Sequence, residues 1–113
     1  MTEKAFQKCL LEAVDAAFLS LGDSAKQSIY YHLENKFKIR RDEIPCRVED
    51  FETGLEKIFG AGTRFLEVLI MKELHENIGP GMDVLKWDES KEFKFIDYVK
   101  AAERNFSQRK KKN

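Results

Sequence analysis

Apolar side chains recur along the chain at steps of three and four residues, and short breaks that contain glycine or proline separate these runs. Such spacing is typical of amphipathic α-helices, because an α-helix completes one turn in about 3.6 residues. The first run spans Thr2 to Leu21, with Gly22 directly after it, where a helix commonly ends on glycine. Its apolar face is formed by Phe6, Leu10, Val14, Phe18 and Leu21.

The second predicted helix starts directly after this glycine. Either Asp23 or Ser24 can cap it, and Ser24 with Gln27 has the spacing of a capping box. The neighbouring Tyr30 and Tyr31 point about 100° apart on a helix, so one should pack inward and the other, Tyr31, should form an exposed contact surface. The buried face is expected to carry Ile29, Leu33 and Phe37.

A charged connector over 39–48 follows the second helix and contains Ile44-Pro45. Proline disfavours helical geometry at the residue before it, so we expect a break in the helix with Ile44 turned inward. The third helix is predicted from Val48 to Phe59, and Gly60 ends it. A tight turn then leads to the fourth helix, with Thr63 as its possible cap.

The fourth predicted helix, Thr63 to Ile78, differs from the others because only Glu67 interrupts its apolar run from Phe65 to Met71. A helix that is apolar all round must be covered on all sides, either by neighbouring helices or by a second subunit. We expect a second subunit, in a two-fold homodimer, to cover the ridge on the flank away from the Phe65–Leu69 stripe, with cover by the first helix or by the strap around Trp87 as the alternative. This self-association ridge is formed by Leu66, Ile70 and Met71.

The rest of the chain is less regular. Residues Met82 to Phe93 are expected to form an extended strap that lays Trp87 over the core, with a short hairpin as the alternative. A fifth helix is predicted from about Phe95 to Phe106. The sequence thus predicts an all-α fold, a four- to five-helix bundle with short turns and a C-terminal strap plus helix. Residues 1–106 should form a single helical domain, and 107–113 a disordered basic tail.

Composition agrees with a single folded domain and narrows the function classes. The 113 residues are 42% hydrophobic and 35% charged, which is typical of a globular protein with a highly charged surface. Lysines plus arginines number 20, as do aspartates plus glutamates. The chain as a whole therefore lacks the net positive charge that is typical of proteins that bind nucleic acids or anionic membranes.

Candidate chemistry is sparse. His32 and His75 have no second histidine or cysteine at metal-ligand spacing, and no nucleophile lies beside a base. We therefore predict no catalytic residues, no metal site and no cofactor, that is, a protein that is not an enzyme. Cys9 and Cys46 are expected to be reduced, and neither a leader peptide nor an apolar membrane span is apparent. The predicted localisation is cytoplasmic.

The C-terminal tail concentrates positive charge without any acid. Four cations of this tail could hold nucleic-acid phosphates by counterion release, or they could serve only to solubilise the chain. A nucleic-acid-associated protein is therefore the second functional hypothesis, and a small enzyme or ligand sensor with a pocket between helices is the third. The cations are Arg109, Lys110, Lys111 and Lys112.

Three segments carry a family resemblance: Leu21–Phe37, Glu43-Ile44-Pro45 and Phe51–Leu74. They resemble a small archaeal domain family, the Nitrosopumilus-type output domain, which occurs as the effector part of archaeal signalling proteins. The resemblance covers roughly residues 15–78, and it implies a helical regulatory or interaction domain without catalytic residues. The first functional hypothesis is therefore an intracellular, non-enzymatic protein-interaction or regulatory module that acts as a homodimer on unknown protein partners.

Overall fold

The computed structural model describes residues 2–78 and 95–111. Within these ranges the chain forms five α-helices and no strand, so the predicted all-α bundle is confirmed. Two short 3₁₀ segments, Arg41–Cys46 and Gly60–Gly62, connect α2 to α3 and α3 to α4. The helices are α1 (Thr2–Leu19), α2 (Asp23–Phe37), α3 (Val48–Phe59), α4 (Thr63–Ile78) and α5 (Phe95–Lys111).

Helix α1 ends at Leu19, two residues before the predicted end, and Gly22 is the N-cap of α2, so neither Asp23 nor Ser24 caps this helix as predicted. Gly22 has a φ of 112°, a conformation that residues with a Cβ rarely adopt. The chain turns over residues 20–22, Asp23 is the first residue of α2, and no side chain caps the helix. Asp23 instead lies in the first turn, where its charge complements the helix dipole, and Gln27 donates a hydrogen bond to it at 3.4 Å.

Thr63 also has a different role from the predicted one. It is the first residue of α4 and is buried, and its hydroxyl lies 2.8 Å from the carbonyl oxygen of Gly60 and 3.1 Å from that of Leu55. The hydroxyl therefore shares its one proton between a carbonyl of α3 and a carbonyl of the turn after it, instead of capping α4. In the connector between α2 and α3, Ile44 is buried within the 3₁₀ segment Arg41–Cys46, as predicted.

The core draws buried apolar side chains from all five helices, and α1 and α4 make the most extensive contact between described elements. This contact overturns the predicted self-association ridge and agrees with the alternative, in which the first helix covers it. Leu66, Ile70 and Met71 are 2%, 0% and 2% exposed, whereas Phe65 is 61% exposed. The self-association ridge thus lies inside the chain, because α1 and α5 both pack on α4. These three residues offer no surface to a second subunit.

Helix α5 ends later than predicted. It continues to Lys111, five residues beyond Phe106, so Arg109, Lys110 and Lys111 lie in its last turn and not in a separate tail. Lysine and arginine are good helix formers, and cations are favourable near a helix C-terminus, which accounts for the extension. Lys112 and the whole of 82–93, where a strap or a hairpin was predicted, lie outside the described residues.

Gly54 allows close packing between α3 and α2. A Cβ at this buried glycine would lie 3.0 Å from Leu33 Cδ2 and 3.4 Å from Phe37 Cδ2. We expect Gly54→Val to lower the free energy of unfolding by about 2 kcal/mol, since fully buried Leu33 has little room to move. Urea unfolding followed by circular dichroism measures this change. The matched variant Gly62→Val, where the nearest atom would be 3.9 Å away, should stay within about 0.5 kcal/mol of wild type.

Candidate interaction surface

A hydrogen-bonded network around Asp15 fixes the relative positions of α1, α2 and the connector. The Tyr30 hydroxyl donates to Asp15 Oδ1 at 2.5 Å, and Arg41 Nε donates to the same oxygen at 2.9 Å. Arg41 Nη2 donates to the second oxygen, Oδ2, so the arginine binds the carboxylate in a bidentate manner. Bidentate arginine–carboxylate pairs are among the strongest and most directional ion pairs in proteins.

Ionisation of the network follows from these contacts. Partial burial alone would raise the pKa of Asp15, but the hydrogen bonds from Arg41 and Tyr30 outweigh it and hold that pKa below 3.8. Burial and the hydrogen bond to Asp15 raise the pKa of the Tyr30 phenol. The hydrogen bond to Asp15 raises the pKa of Arg41. At neutral pH the network therefore consists of a carboxylate, a neutral phenol and a guanidinium ion.

Next to this network lies a shallow groove of about 640 Å³ between α2 and the connector, which we call the Tyr31 surface. Tyr31 is 63% exposed and Tyr30 is half-buried, so the predicted division between the two tyrosines is confirmed. The groove is lined by Gln27, Tyr30, Tyr31, Glu34, Arg40, Arg41 and Asp42.

Several side chains of the Tyr31 surface contact partners within the chain. Arg41 is fixed by Asp15, and Arg40 lies 3.6 Å from the carboxylate of Glu34. The rings of Tyr31 and His32 form an edge-to-face pair, with 5.8 Å between ring centroids. A surface whose side chains are already ordered loses less conformational entropy on binding. Tyrosine and arginine are also the residue types, with tryptophan, that most often dominate protein interfaces.

The other candidate residues are scattered. His32 is half-buried on α2, and His75 is exposed on α4. Across residues 2–78 and 95–111, no group of three or more histidine, cysteine or acidic side chains is placed to hold a metal ion. Cys9 is half-buried, Cys46 is exposed, and they are not bonded to each other. None of the described helices is long and apolar enough to cross a membrane.

The Asp15 network was missed by sequence reasoning. Asp15 flanks the apolar face of α1, and its partner Arg41 is 26 positions away in a connector that was predicted only as a charged loop. One local signal was available, because a packed Tyr30 needs a hydrogen-bond partner for its hydroxyl. The sequence alone does not identify Asp15 as that partner.

The fold and the surface together define a small helical bundle with an ordered, amphipathic groove. Comparison with protein-family models, curated protein sequences and solved structures finds no match to this chain.

Proposed function

We propose that this chain is a non-enzymatic protein-interaction module of the regulatory, output-domain type, and that it binds its protein partner through the Tyr31 surface. The observation that carries this proposal is the exposed ring of Tyr31 beside two arginines, on a frame that the Asp15 network holds rigid. Large amphipathic side chains that are ordered in advance are typical of interface residues.

The mixed charge of this surface favours a protein over a nucleic acid. Arg40 and Arg41 are already paired with Glu34 and Asp15, and Asp42 adds another negative charge. A phosphate backbone needs cations that are not neutralised in this way. The nucleic-acid hypothesis therefore rests on the cations at the end of α5. The partner-recovery experiment described next tests both hypotheses.

Replacement of Tyr31 tests the proposal. The experiment measures how much of a stoichiometric partner is crosslinked to the chain and recovered from the source cells. We expect Tyr31→Ala to reduce this amount by at least about tenfold, because a central aromatic residue often dominates an interface. Its free energy of unfolding should stay within about 0.5 kcal/mol of wild type because the ring is exposed. Leu21→Ala, a change at another exposed apolar residue, is the matched control and should capture the partner as wild type does.

Two outcomes would contradict the proposal. Equal recovery by wild type and Tyr31→Ala would place the interface elsewhere. Recovery of nucleic acid that falls steeply with salt and is lost when 107–113 is deleted would favour the nucleic-acid hypothesis.

A further inference from the structure

A second concave surface, the acidic groove, lies where α3, the start of α4 and the start of α5 meet. It has a volume of about 580 Å³, and four of its lining residues are glutamates. The only cation among its described lining residues is Arg64, which is exposed. The glutamates are Glu49, Glu52, Glu56 and Glu67.

Glu67 is the unusual member of this group. Its side chain is only 8% exposed, and no other acidic or basic side chain among the described residues is buried to this degree. Glu52 on α3 lines the same groove, and after burial its hydrogen-bonding side chain is the largest cause of the raised pKa of Glu67. A hydrogen bond between two carboxyl groups requires a proton on one of them, because a carboxylate can only accept.

The surroundings of Glu67 disfavour a second negative charge. From α3 it faces Glu52 and Glu56, and from its own helix Arg64. The turn before α4 adds no charged group, and α5 contributes the apolar side chains of Phe95 and Ile96. Lys94, which precedes α5, lies outside the described residues.

These surroundings change the ionisation of Glu67. Burial, followed by the hydrogen bond and the negative charge of Glu52, raises the pKa of Glu67 to about 8. The charge of Glu56 raises it further, and the charge of Arg64 lowers it.

We propose that Glu67 and Glu52 form a proton-dependent latch between α3 and α4. With one proton present, the Glu67 carboxyl group donates it to the Glu52 carboxylate, and the two helices are held together. When that proton passes to the solvent, two carboxylates are left in contact at a buried position, and the helices separate at the acidic groove. The latch is independent of the Tyr31 surface, which lies on other elements.

The sign of the pH dependence follows from linkage. The closed form binds the proton more tightly than the open form, in which Glu67 regains an ordinary pKa near 4.5. The free energy of closing is therefore most favourable at acidic pH. It becomes less favourable as pH rises from about 4.5 to about 8, and it stays constant at higher pH. Between pH 7 and pH 9.5 the protection of α3 and α4 amides against hydrogen exchange should fall about tenfold more than intrinsic exchange explains.

Carboxyl NMR of the full chain labelled with ¹³C-glutamate provides the direct test. We expect one glutamate to titrate near pH 8, the value for Glu67, and Glu67→Gln to remove this step. Glu52→Gln should move the step down by at least about one unit, since it removes a neighbouring negative charge. Glu49→Gln, at an exposed residue of the same groove, is the matched control and should leave the step in place. The extra loss of amide protection should disappear in Glu67→Gln.

The proposal is overturned if every glutamate titrates below about pH 6, or if the step near pH 8 persists in Glu67→Gln. Should Glu67→Gln fail to fold, Glu52→Gln decides alone, because a step that stays at the same pH without Glu52 rules out the pair.

Discussion

Ile70→Glu is expected to unfold the chain and not to separate the subunits of an oligomer. Ile70 has no exposed surface and lies on the face of α4 that α1 and α5 cover. The substitution loses about 2 to 3 kcal/mol of apolar burial and adds an unpaired carboxylate at a buried position, which costs several more. A total above about 5 kcal/mol is comparable with the whole stability of an ordinary domain.

Circular dichroism should show the loss of helix in Ile70→Glu, and light scattering after size exclusion gives the oligomeric state of the wild type. Phe65→Glu is the matched control, because it places the same charge on the same helix at a position that is 61% exposed. It should stay folded, with stability within about 0.5 kcal/mol of wild type. A folded Ile70→Glu that is monomeric beside a dimeric wild type would contradict the burial of this face and restore the self-association ridge.

The orientation of α4 shows how far periodicity determines a helix. Its apolar run identified the helix and the need to cover it, but the run from Phe65 to Met71 is too short to choose a face. The pattern over the whole length of α4 does identify the buried face. The row of Leu66 and Ile70 continues to Leu74, which is also buried, whereas the row of Phe65 and Leu69 continues into charged residues. An apolar row that extends through the whole helix is the better indicator of its buried face.

The candidate sites depended on contacts between distant parts of the chain. Tyr31 is predictable from the sequence, because adjacent tyrosines on a helix point about 100° apart and Tyr30 lies beside the apolar face. Glu67 is the single polar residue in the apolar run from Phe65 to Met71, but its partner lies on another helix. Nothing within either helix places the two carboxyl groups together, and only the packing of α3 on α4 does so. The bidentate pair of Asp15 with Arg41 likewise depends on how the connector returns to α1.

Asp15→Ala is expected to lower the free energy of unfolding by about 2 to 3 kcal/mol at pH 7. The substitution removes the acceptor of Tyr30 and both contacts of Arg41, and hydrogen bonds to charged groups contribute about 1.5 to 3 kcal/mol each before screening by solvent. Partial exposure of Asp15 and Arg41 lowers that sum. Asp42→Ala, next to Arg41 but exposed and outside the network, is the matched control and should change stability by less than about 0.5 kcal/mol.

Wild type and Asp15→Ala are expected to differ in their free energy of unfolding, and the pH dependence of this difference identifies its cause. The folded-state pKa of Asp15 is depressed, so its contribution is complete above the ordinary value of 3.8 and is lost as pH falls through the folded-state value. Urea unfolding at several pH values should therefore give a constant difference from about pH 5 to pH 8 and a shrinking one below about pH 4. A difference that persists unchanged at pH 2.5 would attribute the loss to packing of the side chain. A difference that shrinks would show that the carboxylate holds Tyr30 and Arg41, and with them the frame of the Tyr31 surface, through its charge.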